Sequence, residues 1–116
     1  MAPEQAVLVV EDPFVSNYLI SLLAQRGYVA SMAGVGGAVR RLRTEAGREK
    51  ILITDVPEEF LEFAQQTPVL YLSGAPDPSV VSRFRACRVI RKPFRAEQFL
   101  AALEELCAAR ARAEGA

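Results

Sequence analysis

Five side chains fit for ionic or phosphoryl chemistry stand at or just beyond the ends of short apolar runs. Glu11 and Asp12 follow "VLVV" (7–10), Asp55 follows "ILIT" (51–54), Ser73 follows "VLYL" (69–72), and Lys92 lies just past "RVI" (88–90) and directly before a proline. Each alone has an ordinary explanation, as a cap, a turn former or a solvated charge. Brought together, three carboxylates repel one another unless a cation sits among them. Oxygen donors of this kind suit a hard ion such as Mg²⁺, which keeps part of its hydration shell. An ammonium and a hydroxyl facing that ion could then hold a small tetrahedral anion attached to one carboxylate, which is the chemistry of a phosphoryl site.

The rest of the composition narrows the alternatives. Lys plus Arg and Asp plus Glu balance at 14 each, so no overall basic field draws the chain onto nucleic acid or an anionic membrane. There is no histidine, which removes Ser-His-Asp and Cys-His catalysis and any phosphohistidine carrier role. Cys87 and Cys107 have no metal-ligand spacing and are expected to be buried, reduced thiols. The opening "MAPEQAVLVV" lacks the basic and long apolar regions of a signal peptide, and no stretch reaches the length of a membrane span, so a cytoplasmic location is expected.

The elements that must position these groups are legible as alternating segments. The four runs, with "YVASM" (28–32) as a weaker fifth, are continuously apolar, the pattern of strands buried on both faces of a parallel sheet. Asp12 can cap a first helix, Pro13 suits its first turn, Val15, Leu19, Leu22 and Leu23 share one face, and Gly27 ends it. A second helix is expected over Val35–Thr44. The "GVGG" before and within it matches no phosphate-loop pattern and reads as a flexible turn. A last helix from Ala96 to about Ala109 places Phe99, Leu103 and Leu106 on a core stripe widened by Leu100 and Cys107. The length fits one domain, with its core over about residues 6–107 and a frayed tail over 108–116. The expected fold class is α/β, a flavodoxin-like doubly wound five-stranded parallel sheet of order 2-1-3-4-5 with helices on both faces. That order puts the first and third strands side by side at the switch point where such sheets bind ligands.

In order, "VLVVEDP", "ILITDV", "PVLYLSG" and "VIRKPF" resemble the receiver domain of two-component response regulators (CheY-like), from Val7 to Leu106. The resemblance implies that Asp55 accepts a phosphoryl group from a histidine kinase or phosphotransfer protein in an Mg²⁺-dependent reaction. It implies Asp12 as a direct metal ligand, Glu11 as a ligand through water, Asp55 itself as a ligand, and Pro57 as a ligand through its backbone carbonyl. Ser73 matches the switch hydroxyl, Gly74 the small residue beside the phosphoryl group, and Lys92 the lysine that pairs with a phosphoryl oxygen. The Lys92–Pro93 bond is expected to be cis. A downstream protein target is implied, and a homodimer through the fourth- and fifth-strand side is a further expectation.

The chain also departs from that pattern. Only "EEFLEFAQQ" is left for a third helix, and only "PSVVSRFRA" for a fourth, so both are expected to be shortened or remodelled. Val89 stands where many receivers carry a switch aromatic, while Tyr71, Phe84 and Phe94 read as core or interface residues. These departures leave a phosphorylation-independent interaction module as the alternative function. An aspartyl phosphatase is disfavoured by Pro57, two residues after Asp55, and a flavin carrier by the lack of a hydroxyl- and glycine-rich loop in "EDPFVSN".

Overall fold

The structure is a computed structural model and describes residues 6–44 and 50–115. Strands β1 (Ala6–Val10), β2 (Val29–Met32), β3 (Lys50–Thr54), β4 (Val69–Ser73) and β5 (Cys87–Arg91) alternate with helices α1 (Pro13–Gln25), α2 (Val35–Thr44), α3 (Pro78–Val81) and α4 (Ala96–Gly115). A 3₁₀ helix, Pro57–Phe63, links β3 to β4. The five strands are all parallel, in the order β2-β1-β3-β4-β5, which is the expected flavodoxin-like topology.

The runs in β1, β3 and β4 form the centre of the sheet because each has a wall to bury against on both sides, whereas "RVI" lies in the edge strand β5 and buries only Ile90, with Arg88 and Val89 exposed. On one face Val7, Val9, Ile51, Ile53, Leu70 and Leu72 pack with Leu19 and Leu23 of α1 and with Phe99, Leu103 and Leu106 of α4. On the other face Leu8, Val10, Leu52, Val69 and Tyr71 meet Ala38 and Leu42 of α2, Phe60 and Phe63 of the 3₁₀ helix, and Phe84. Tyr71 and Phe84 are thus core residues, and Phe94 packs against the first cluster, its ring stacked with Phe99 at 6.0 Å.

Helix α1 begins as its sequence requires. Asp12 Oδ1 accepts the Val15 N–H at 3.0 Å, Pro13 occupies the first turn, and Gly27 takes a positive φ of 84° just after the helix. Other segments differ from expectation. The third-helix segment is a 3₁₀ helix with a non-helical Phe60 (φ −123°, ψ 22°), a kink that lets both Phe60 and Phe63 reach the core from seven residues. In "PSVVSRFRA" only Pro78–Val81 is α-helical, capped by Asp77 through the Ser79 N–H at 2.9 Å. Gly36 and Gly37 lie inside α2 rather than in a turn. Helix α4 extends past Ala109 to Gly115, as its Ala-, Arg- and Glu-rich end favours; Ala116 lies outside the described residues. Cys87 and Cys107 are free thiols but half-buried rather than fully buried. No described helix is long and apolar enough to cross a membrane.

Candidate functional site

Parallel pairing delivers all the candidate groups to one edge of the sheet. Val10 is level with Thr54, so Glu11 and Asp12 leave β1 beside Asp55 leaving β3. Ser73 is level with Arg91, and the Lys92 N–H donates to the Ser73 carbonyl at 3.0 Å, so the hydroxyl and ammonium residues leave β4 and β5 together. The Lys92–Pro93 bond is cis.

The closest ionic contact at this edge spans the sheet. Lys92 Nζ donates to Glu11 Oε1 at 3.2 Å, with the Glu11 side chain fully buried and the Lys92 side chain 32% exposed. The other oxygen, Glu11 Oε2, is buried with no hydrogen-bond partner among the described residues. Burial holds the Glu11 carboxyl above its ordinary range, and the nearby Asp55 charge pushes it further up; Lys92 pulls it down, and Asp12 adds a smaller upward push. Glu11 therefore senses charges from three separate strand ends.

Lys92 and Ser73 each make a local contact at this edge. The ammonium of Lys92 lies on Glu11, not on Asp55. The Ser73 hydroxyl accepts the Ala75 N–H at 3.0 Å, closing a local turn, rather than facing the carboxylates. Asp12, Asp55 and Gly74 are exposed at the edge, and Ser73 is half-buried. Pro57 is buried at the start of the 3₁₀ helix.

A hard divalent cation fits the donor set. The donors at this edge are carboxylates, and Glu11 carries a buried oxygen with no partner among the described residues, its ionised form disfavoured first by burial and then by Asp55. Among the described residues no three acidic or thiol side chains are already drawn together as a metal cage, and Glu11 is engaged by the ammonium instead.

Two residues that hold the site together were not singled out from the sequence. Thr54, fully buried, accepts the Val56 N–H on its hydroxyl at 3.0 Å and so shapes the turn that carries Asp55. Ser16, also buried, donates its hydroxyl to the Glu11 carbonyl at 3.1 Å, tying α1 to the acid pair. Their only sequence signal is a hydroxyl at a position that periodicity assigns to the core.

No family model and no curated protein matches the sequence. Solved structures do match. The signal receiver domain of an HD domain-containing protein from Pseudomonas fluorescens Pf-5 is 22% identical, with a TM-score of 0.74 over 97% of this chain and 96% of that one. The chemotaxis response regulator CheY4 of Vibrio cholerae is 22% identical, with a TM-score of 0.74 over 90% of this chain and 99% of that one. A response regulator receiver protein from Sinorhizobium medicae WSM419 is 20% identical, with a TM-score of 0.73 over 92% of this chain and 96% of that one. In strand order, in the layers on both faces of the sheet and over nearly its whole length, this chain has the CheY-like fold of response regulator receiver domains.

Proposed function

We propose that the chain is a phosphoryl-accepting signalling receiver, with Asp55 as the acceptor and a separate histidine kinase or phosphotransfer protein as the donor. The observation that carries this reading is the ion pair between Lys92 and Glu11 at 3.2 Å, which brings the lysine of the last strand onto a carboxylate of the first, at the edge where Asp55 leaves the third. In the transfer, an Asp55 carboxylate oxygen forms a bond to phosphorus while the donor's P–N bond breaks, its electron pair staying on the imidazole nitrogen. Both reacting partners are anionic, so catalysis rests on offsetting charge and holding the donor in line.

Lys92 is half-buried on a strand end and has only to move from Glu11 to a phosphoryl oxygen. Ser73 has to give up its bond to the Ala75 N–H to donate to the same group. Its departure lets the β4–β5 surface repack, which turns a local charge event into a change in protein affinity. Asp12 and Asp55, with Glu11 through water and Pro57 through its carbonyl, would hold Mg²⁺. Held there, it would supply positive charge that offsets the charge of the phosphoryl group. The chain's role is that of a switch rather than of a metabolic enzyme, and its partners are the donor and a target protein.

Titration with beryllofluoride and Mg²⁺, followed by amide NMR, tests this. The expected result is saturable shifts at Asp55, Ser73 and Lys92 that vanish in Asp55→Asn. A flat titration would favour the second reading, a phosphorylation-independent interaction module. That reading draws on α3, which at four residues offers little helix to repack.

A further inference from the structure

A concave site lies at the opposite end of β5 from Lys92. It is a cavity of about 580 Å³ between the start of β5 and the middle of α4, lined by Arg85, Cys87, Arg88, Glu105, Leu106 and Ala108 among others. It is a shallow concavity open to solvent, with Arg85, Arg88, Glu105, Ala108 and Ala109 exposed around it. The chain that forms its near wall is tied to the segment that enters β4, since the Arg85 N–H donates to the Ala64 carbonyl at 2.9 Å and the Ala86 carbonyl accepts the Val69 N–H at 3.0 Å. Leu106, 3% exposed and part of the core, supplies an apolar floor, and the alanine side chain leaves room above it.

Charge chooses the ligand. Between residues 83 and 95 the sequence carries Arg83, Arg85, Arg88, Arg91, Lys92 and Arg95 with no acidic residue. At the cavity itself Arg88 pairs with Glu105 at 2.6 Å, while Arg85 forms no ion pair among the described residues, so the walls carry one surplus positive charge. Burial pushes the Cys87 thiol up to about 11, so it stands in this wall as a neutral group and does not cancel that charge. A planar guanidinium binds a carboxylate through two parallel N–H bonds and keeps its own charge at any physiological pH.

We infer that the β5–α4 cavity is a binding site for a small amphiphilic carboxylate, its apolar body on Leu106 and Ala108 and its anionic group on Arg85 and Arg88. In the bound state Arg88 exchanges Glu105 for the ligand, at comparable hydrogen-bonding but with Glu105 released to solvent, where it is already 56% exposed. The site lies about 13 Å along β5 from Lys92, at 3.3 Å per residue, and therefore reads a different signal from the carboxylate edge.

The test uses octanoate as the probe, with acetate and octyltrimethylammonium as matched controls, added to the full chain under amide NMR. The expected result is saturable octanoate shifts confined to residues 85–88 and 105–109, with both controls at least tenfold weaker. The Arg85→Ala/Arg88→Ala variant should weaken octanoate at least tenfold, and Ala108→Trp, which fills the cavity, should abolish it, each variant keeping the wild-type spectral dispersion elsewhere. The inference is overturned if octanoate gives no saturable shifts, if the cation binds as well as the acid, or if shifts scatter over the surface. Binding that survives in both folded variants also overturns it. If either variant loses dispersion, the arm that decides is octanoate against octyltrimethylammonium on the wild type.

Discussion

At the scale of single residues, the most consequential group is Glu11. Its carboxylate has one oxygen on Lys92 and the other on nothing among the described residues, and its charged form is disfavoured by burial first and then by Asp55 and Asp12. An unsatisfied buried polar atom costs on the order of 1–3 kcal/mol, so the site keeps Glu11 at the expense of stability. Glu11→Gln keeps an oxygen for Lys92 and removes the repelled charge. In metal-free buffer at pH 7 it should melt a few degrees higher than wild type, for a gain of about 1 kcal/mol. Scanning calorimetry with and without Mg²⁺ checks this, and the ion should narrow or reverse the difference, because it restores a partner to the wild-type carboxylate. The thiol of Cys87 gives a second residue-scale expectation. Burial raises it from 9.0 to about 11, so at pH 8 its thiolate fraction is roughly a hundredfold below that of an unburied thiol. Iodoacetamide labelling read by mass spectrometry should be correspondingly slow, and should accelerate up to about pH 11. The linked stability change has a definite sign. Between the unfolded and folded values the folded chain binds the extra proton, so this group's contribution is present below pH 9 and is lost as pH rises through about 11.

At the scale of elements, Asp12 is where local structure and chemistry can be separated. It is the N-cap of α1 and a carboxylate at the candidate metal edge. Asparagine caps a helix about as well as aspartate, whereas alanine does not cap at all. Asp12→Asn should therefore leave the denaturation midpoint almost unchanged while weakening Mg²⁺ binding, and Asp12→Ala should lose about 1 kcal/mol in addition; urea unfolding and Mg²⁺ titration on the same samples distinguish the two effects. Cap, first-turn proline and terminal glycine were all legible in "EDPFVSN" and "RGYV", because those signals are local and each residue type has one dominant physical reason to be there. The 3₁₀ segment was not legible in the same way. "EEFLEFAQQ" was clearly too short for an ordinary crossover helix, but its kink at Phe60 is a tertiary compromise, since the backbone abandons regular geometry to place two rings in the core. Phe60 is fully buried, so Phe60→Ala should cost about 3–5 kcal/mol, a large part of a small domain's stability, and should show as a shifted urea midpoint at unchanged slope.

At the scale of the whole molecule, the sheet order and the meeting of Glu11, Asp12, Asp55, Ser73 and Lys92 at one edge followed from the sequence, because continuous apolar runs dictate a parallel sheet and a parallel sheet puts every strand end on one side. What did not follow was how the side chains settle at that edge. Lys92 on Glu11 and Ser73 on the Ala75 N–H are rotamer choices made by neighbours from distant segments. The two faces of the sheet are also unequal in a way that the sequence only hinted at. One carries the long helices α1 and α4; the other carries α2, a 3₁₀ helix and the four-residue α3, which has no buried residue of its own. Local opening is easiest where few apolar contacts are lost, so amides of α3 should exchange with solvent far faster than those of β1, β3 and β4. A ligand that binds only the folded state protects just those amides that need global unfolding, by RT ln(1 + [L]/Kd), or about 2.7 kcal/mol and roughly a hundredfold in rate at a hundred times Kd. With beryllofluoride and Mg²⁺ at that excess, exchange in β1, β3 and β4 should slow by about this factor. Any slowing in α3 beyond its own local opening would then measure how far the charge at Asp55 orders the β4–β5 face. Slowing in the sheet with none in α3 would mean that the site binds its ligand without switching that face.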